Sequence, residues 1–132
     1  MKLDHCSNRV VRGKVALIQK LFVEELGFML LRELPDEIWL RQGDANVDIQ
    51  FCESDGHLSA DSDKQNSHIA FISDKPEKEL ERLANWFREH GYETKIGSWS
   101  DKEFYLDVPE VFVDFSIEAM YPEIAVYETE GD

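Results

Sequence analysis

The chain has 132 residues, 42% of them hydrophobic and 11% aromatic, enough for one domain or two half-domains sharing a core, and too apolar for a disordered acidic segment. Its formal charge of −14 excludes nucleic acid as an expected partner, because phosphate binding rests on Lys and Arg. No apolar run approaches the roughly 20 residues that cross a bilayer, and residues 1–10 lack the apolar centre of a signal peptide, so a cytoplasmic protein with no membrane partner is expected.

Residues 3–10 alternate as a strand does, with Leu3, His5, Ser7 and Arg9 on one face and Asp4, Cys6, Asn8 and Val10 on the other. After Gly13, the residues Leu17, Ile18, Leu21, Phe22 and Leu26 recur at three- and four-residue spacing, which predicts a helix closed by Gly27. Three strands follow at 28–33, 38–42 and 46–53, separated by the turn formers Pro35-Asp36 and Gly43-Asp44. Residues 54–67 read as a polar, exposed linker with solvated carboxylates.

From His68 the same order restarts. A strand at 68–73 precedes a helix entered at Pro76, striped by Leu80, Leu83, Ala84 and Phe87 and closed by Gly91. Strands are expected at 93–99, 103–108 and 111–120. LFVEELGF (21–28) answers NWFREHGY (85–92), so the chain reads as one domain, 1–132, built from two copies of a strand-helix-strand-strand-strand module. The copies span about 3–53 and 68–120, and 121–132 forms an acidic tail expected to fray.

Four polar residues stand at matching places in the copies: His5 and His68 on the opening strands, Gln50 and Glu118 on the closing ones. With period two, Val47, Ile49 and Phe51, or Val113, Phe115, Ile117 and Ala119, point toward the module's helix, leaving Gln50 and Glu118 on the other face. Two imidazoles, a carboxylate and an amide oxygen suit a divalent ion such as zinc, manganese, iron, nickel or cobalt, with coordination positions open to water or substrate. The competing reading is structural: a histidine near a strand start is commonly a hydrogen-bonded core residue, and Glu118 could pair with Arg9 or Lys95. His57, in the linker, and His90, at a helix end, are excluded. The cysteines Cys6 and Cys52 have neither metal-ligand spacing nor the density of a disulfide scaffold.

The strings LDH (3–5), LFVEELGF, WLRQGDANVDIQF (39–51), SHIAFIS (67–73) and FSIEA (115–119), in this order and spacing, resemble the vicinal oxygen chelate superfamily, the glyoxalase, bleomycin resistance and dioxygenase family. The resemblance covers about residues 3–120. It implies an α+β fold in which paired βαβββ modules form a U-shaped, cavity-enclosing mixed sheet with helices outside. It also places His5, Gln50, His68 and Glu118 on the family's metal-ligand positions, with each pair on neighbouring strands, and Cys6 and Cys52 on opposite sides of the sheet. The chain departs from the family pattern at LDVPEVFVDF, where a turn glycine is missing, and at Leu21-Phe22, where many members carry Phe-Tyr.

The family spans several reactions, so fold does not choose among them. A fourth protein ligand at Gln50 resembles the glyoxalase- and epimerase-like members. The leading expectation is therefore a metal-dependent isomerase- or lyase-like enzyme that binds a small substrate through two oxygens and stabilises an oxyanion. Glu33, Glu37 or Glu118 itself are candidate bases. The alternatives are a binding protein that sequesters a small cationic or aromatic molecule, as bleomycin-resistance members do, and a scaffold without activity. Family members are commonly homodimers, and Trp39, Trp86 and Trp99 exceed what a small core requires, so an exposed aromatic interface is expected.

Overall fold

The computed structural model describes residues 1–45 and 47–126. The expected start of the fourth strand at Asn46 and the end of the acidic tail, 127–132, lie outside the described residues. The chain divides into two units, one of Met1–Ala60 with Glu110–Asp114, the other of Asp61–Pro109 with the residues from Phe115 on.

In the first unit, β1 (His5–Val11) leads through Gly13 into α1 (Val15–Lys20), followed by β2 (Met29–Leu34), β3 (Glu37–Arg41) and β4 (Asp48–Ser54). The strands form a sheet in the order β1-β4-β3-β2, with β1 parallel to β4 and the other pairs antiparallel. No side chain caps α1; instead Val15 N–H donates to the Glu53 carboxylate of β4 at 3.2 Å, satisfying a helix-end donor from the sheet. The helix does not run on as α to Leu26. Leu21–Glu25 is π-helical, and the wider turn carries the adjacent Leu21 and Phe22 inward together. Gly27, at φ +72°, reverses the chain so that Phe28 N–H reaches the Phe22 carbonyl at 2.9 Å. Phe22 packs edge-on against Phe28 and Phe51, centroids 4.9 and 5.0 Å away, and with Ile18, Ile38 and Leu40 forms a core in which each side chain contributes about 1.5–3 kcal/mol.

The second unit repeats the grammar with β5 (His68–Ile72), α3 (Pro76–Glu89), β6 (Lys95–Ser98), β7 (Glu103–Asp107) and β8 (Ser116–Met120), in sheet order β5-β8-β7-β6. Again the opening and closing strands are parallel neighbours. Pro76 begins α3 at the position where its missing N–H costs nothing, and Gly91, at φ +90°, ends it. Leu80, Leu83, Ala84 and Phe87 are buried as the stripe predicts. Trp86 is buried with them, at 9% exposure, and so belongs to the core rather than to an exposed aromatic patch.

Two expectations are corrected. The eighth strand does not begin at Val111. Residues 110–114 instead line the outer edge of β1, where Val11 N–H bonds the Val111 carbonyl at 2.9 Å and Val113 N–H bonds the Arg9 carbonyl at 3.1 Å. The physical reason is that β1 is an edge strand with unpaired backbone groups, which this segment satisfies. The linker is likewise not wholly solvated: Asp61–Gln65 forms a short helix, α2, and its Lys64 is 2% exposed. A buried ammonium needs a partner, and Lys64 Nζ lies 2.6 Å from Asp107 Oδ1 on β7.

Candidate functional site

Strand period and register decide which side chains share a face. In the first unit, His5 is level with Asp48, Ser7 with Gln50 and Arg9 with Cys52, while Trp39 is level with Gln50 and Glu37 with Cys52. These residues occupy the face away from α1. The opposite face carries Cys6, Ile49, Phe51, Ile38 and Leu40 toward the helix. His5 and Gln50 therefore share the polar face, on adjacent parallel strands.

His5 Nδ1 is 2.8 Å from Asp4 Oδ2, and its ring meets Trp39 edge-on at a centroid distance of 6.3 Å. Beside them, Arg41 makes a two-bond fork to Asp48 at 2.8 and 2.9 Å, and this guanidinium holds the Asp48 carboxyl below the usual carboxylate range. Arg32 lies 5.2 Å over the Trp39 ring. Cys6 and Cys52 are free thiols on opposite faces. Burial pushes the Cys52 thiol up, only partly offset by Ser7 at 3.6 Å, so it is not poised as a nucleophile.

Of the candidate bases, Glu37 sits on the polar face, with its carboxylate 3.8 Å from Cys52 Sγ. Glu33 does not. It is level with Ile38 and lines a surface hollow with Gln19, Lys20 and Glu24 of the helix, on the other side of the sheet from Gln50. The period of two, counted without the irregularity between Leu30 and Arg32, could not assign its face.

In the second unit, His68 is level with Ser116, Ala70 with Glu118, and Tyr105 with Glu118, so His68, Glu118 and Tyr105 share one face. Neither of the structural partners weighed for Glu118 takes it: Arg9 binds Asp114 and Lys95 binds Asp61. Glu118 Oε2 is instead 2.8 Å from His68 Nε2. The other ring nitrogen, Nδ1, is 2.8 Å from the Gln65 carbonyl at the end of α2. A carbonyl oxygen can only accept, so Nδ1 carries a proton and the lone pair of a neutral ring lies on Nε2, facing the carboxylate. Glu118 is 5% exposed, and burial raises its pKa; the His68 ring opposes that rise and Glu103 adds to it.

Trp99 extends this face. Its ring is 5.4 Å from His68 and 4.8 Å from Tyr105, and it keeps 39% of its surface exposed. Gly97 makes the arrangement possible, since a side chain there would overlap the Tyr105 ring. The buried Lys64 and Asp107 pair and the Arg41 and Asp48 fork were not anticipated. Asp107 continues the polar period of Glu103 and Tyr105, which is a readable signal, whereas Lys64 in a polar run carries none.

The four predicted ligands thus fall two in each unit, an imidazole and an oxygen donor on one face of adjacent parallel strands each time. Among the described residues, no three His, Cys, Asp or Glu side chains stand as a group able to hold a metal ion. The donor chemistry nonetheless fits one. Nε2 of His68 and Oε2 of Glu118 are both acceptors at hydrogen-bond distance, and a cation, a proton or a metal, is required between them. In both histidines Nδ1 is held by an oxygen, the arrangement that orients an imidazole for coordination through Nε2.

No protein-family model matches the chain, and no curated protein sequence matches it. Solved structures do. A possible glyoxalase from Bacillus cereus superposes with a TM-score of 0.61 at 16% identity, covering 91% of this chain and 98% of its own. Lactoylglutathione lyase from Agrobacterium tumefaciens gives a TM-score of 0.55 at 14% identity, covering 96% and 97%. TnmS3, an antibiotic binding protein from Streptomyces sp. CB03234, gives 0.57 at 15% identity, covering 92% and 95%. Two four-stranded mixed sheets, each built from a βαβββ module, give this chain the fold of the glyoxalase and vicinal oxygen chelate proteins.

Proposed function

We propose that the chain is a metal-dependent enzyme acting on a small substrate through two of its oxygens, with His5, Gln50, His68 and Glu118 as the ligands of a divalent ion: zinc, manganese, iron, nickel or cobalt. The observation that carries this reading is the approach of His68 Nε2 to Glu118 Oε2 at 2.8 Å while Nδ1 is committed to the Gln65 carbonyl. When bound, the ion would supply Lewis-acid stabilisation of an oxyanion on the substrate. The chain's own residues have separable tasks. Asp4 and the Gln65 carbonyl orient the two imidazoles. Glu118, once it leaves the metal, is the candidate base, taking up and returning a proton at Oε2. Trp99 packs beside His68 and is itself backed by Tyr105.

Metal analysis and calorimetric titration of the purified protein test the proposal. Tight binding of one divalent ion per chain, abolished in His68→Ala, is expected; no tight ion in the unsubstituted protein removes the idea.

A second reading is supported by the exposed Trp99 ring beside His68 and by the shared fold of an antibiotic binding protein: sequestration of a small cationic or aromatic molecule without turnover. A thermal-shift screen against divalent ions and cationic glycopeptide-like compounds separates the two, since a ligand specific to the native state raises Tm. A rise with the compounds alone favours sequestration.

A further inference from the structure

The linker helix α2 carries the carbonyl that orients His68, and what holds that helix in place lies outside the proposed site. Its last residue, Gln65, gives its carbonyl to His68 Nδ1 at 2.8 Å and its side-chain amide to the Tyr105 hydroxyl at 3.4 Å. A five-residue helix cannot hold a carbonyl in place by its own stability. Its fastening comes from the residue before. Lys64 sends its ammonium, 2% exposed, to Asp107 Oδ1 at 2.6 Å. Its own carbonyl accepts the Ser116 hydroxyl at 3.2 Å and Ser67 N–H at 3.1 Å. Ser116, fully buried and level with His68 on the neighbouring strand, also donates its N–H to the Ser67 carbonyl at 3.3 Å. The surface attachment of α2, Lys95 to Asp61 at 3.3 Å, is exposed and weak by comparison.

We propose that Lys64 is a positioning residue for His68: its buried ion pair with Asp107 fastens α2, and the fastened Gln65 carbonyl keeps the imidazole proton on Nδ1. Without that carbonyl the neutral ring is better served by the other tautomer, with the proton on Nε2 donated to Glu118, and that tautomer has no Nε2 lone pair for a metal. The inference rests on the reading of His68 as a ligand, but its structural half stands without a metal.

The test is nitrogen-15 NMR of the histidine rings in the metal-free full chain at fixed pH, with the exposed His57 as an internal reference. In the unsubstituted protein the His68 Nδ1 signal should be that of a protonated, hydrogen-bonded nitrogen. In Lys64→Met it should move toward the unprotonated range while His57 stays put. Should Lys64→Met fail to fold, Lys64→Ala/Asp107→Ala, which leaves no charge unpaired, is read in the same way. An unchanged His68 Nδ1 signal in a folded variant overturns the proposal and leaves Lys64 a purely structural residue. Zinc titration supplies the second readout: the variant should bind about 10- to 100-fold more weakly, the usual effect of losing a group that orients a ligand. If the nitrogen signal moves as expected but the unsubstituted protein binds no zinc, the positioning role holds and the metal reading falls.

Discussion

Asp114 grips Arg9 twice, accepting its backbone N–H at Oδ1 (2.9 Å) and its side-chain Nε–H at Oδ2 (3.1 Å). One carboxylate thereby closes the open edge of β1 against residues 110–114. Charge-assisted hydrogen bonds of this kind contribute about 1.5–3 kcal/mol, reduced here because the Arg9 side chain is 46% exposed. Asp114→Ala should cost about 1–2 kcal/mol in urea denaturation. Asp114→Asn keeps an oxygen for the Arg9 N–H and should cost less. An Asp114→Asn variant as stable as the parent would show that the charge contributes little, and equal losses for the two would show that it contributes nearly all.

Glu118 gives the folded protein a defined pH response. Burial raises its pKa in the native state, so the native state holds its proton to higher pH than the unfolded chain does. The associated stability is present in full below the unfolded value of 4.5 and is lost as pH rises through the native one. In metal-free protein, Glu118→Gln should therefore raise Tm relative to the parent at neutral pH and narrow that advantage near pH ~4, in the range where model carboxylates protonate. The same difference at both values would mean that Glu118 ionises as freely in the native state as in the unfolded one.

Lys64 and Asp107 form the most deeply buried ion pair among those described, with side-chain exposures of 2% and 8%. Removing one partner strands the other charge, so Lys64→Met should destabilise by about 3–5 kcal/mol. Replacing both, as Lys64→Met/Asp107→Leu, should recover most of that loss, because desolvating the pair offsets much of its attraction. Calorimetric unfolding of the three proteins decides it. A double variant no more stable than the single one would contradict the account.

Gly97 has no room for a methyl group, since Tyr105 occupies the space. Gly97→Ala should displace that ring, cost about 1–3 kcal/mol as overpacking does, and alter the fluorescence of Trp99, which lies 4.8 Å from Tyr105. Relief by Tyr105→Leu in the same chain would identify the ring as the cause.

Much of this molecule was legible in local chemistry. The glycines at 27 and 91, the apolar stripe of α3 and the alternation of β4 and β8 reflect backbone sterics and water, which act over a few residues, and so they state the two βαβββ modules and the face shared by His5 with Gln50 and by His68 with Glu118. What tertiary structure alone decided are the places where distant groups compete for the same hydrogen bonds. Residues 111–113, an apolar β-branched and aromatic run that reads on into β8, are claimed by the unpaired edge of β1. Lys64 reads as a solvated linker residue until Asp107, 43 positions later, gives its charge a buried partner. The irregularity in β2 turns Glu33 to the helix side, out of reach of the polar face. For His68 the repeat supplied the residue and its strand, but the proton on Nδ1 is set by a carbonyl on a helix that local propensity does not predict. A carbonyl can only accept, so placing one 2.8 Å from Nδ1 fixes a proton there.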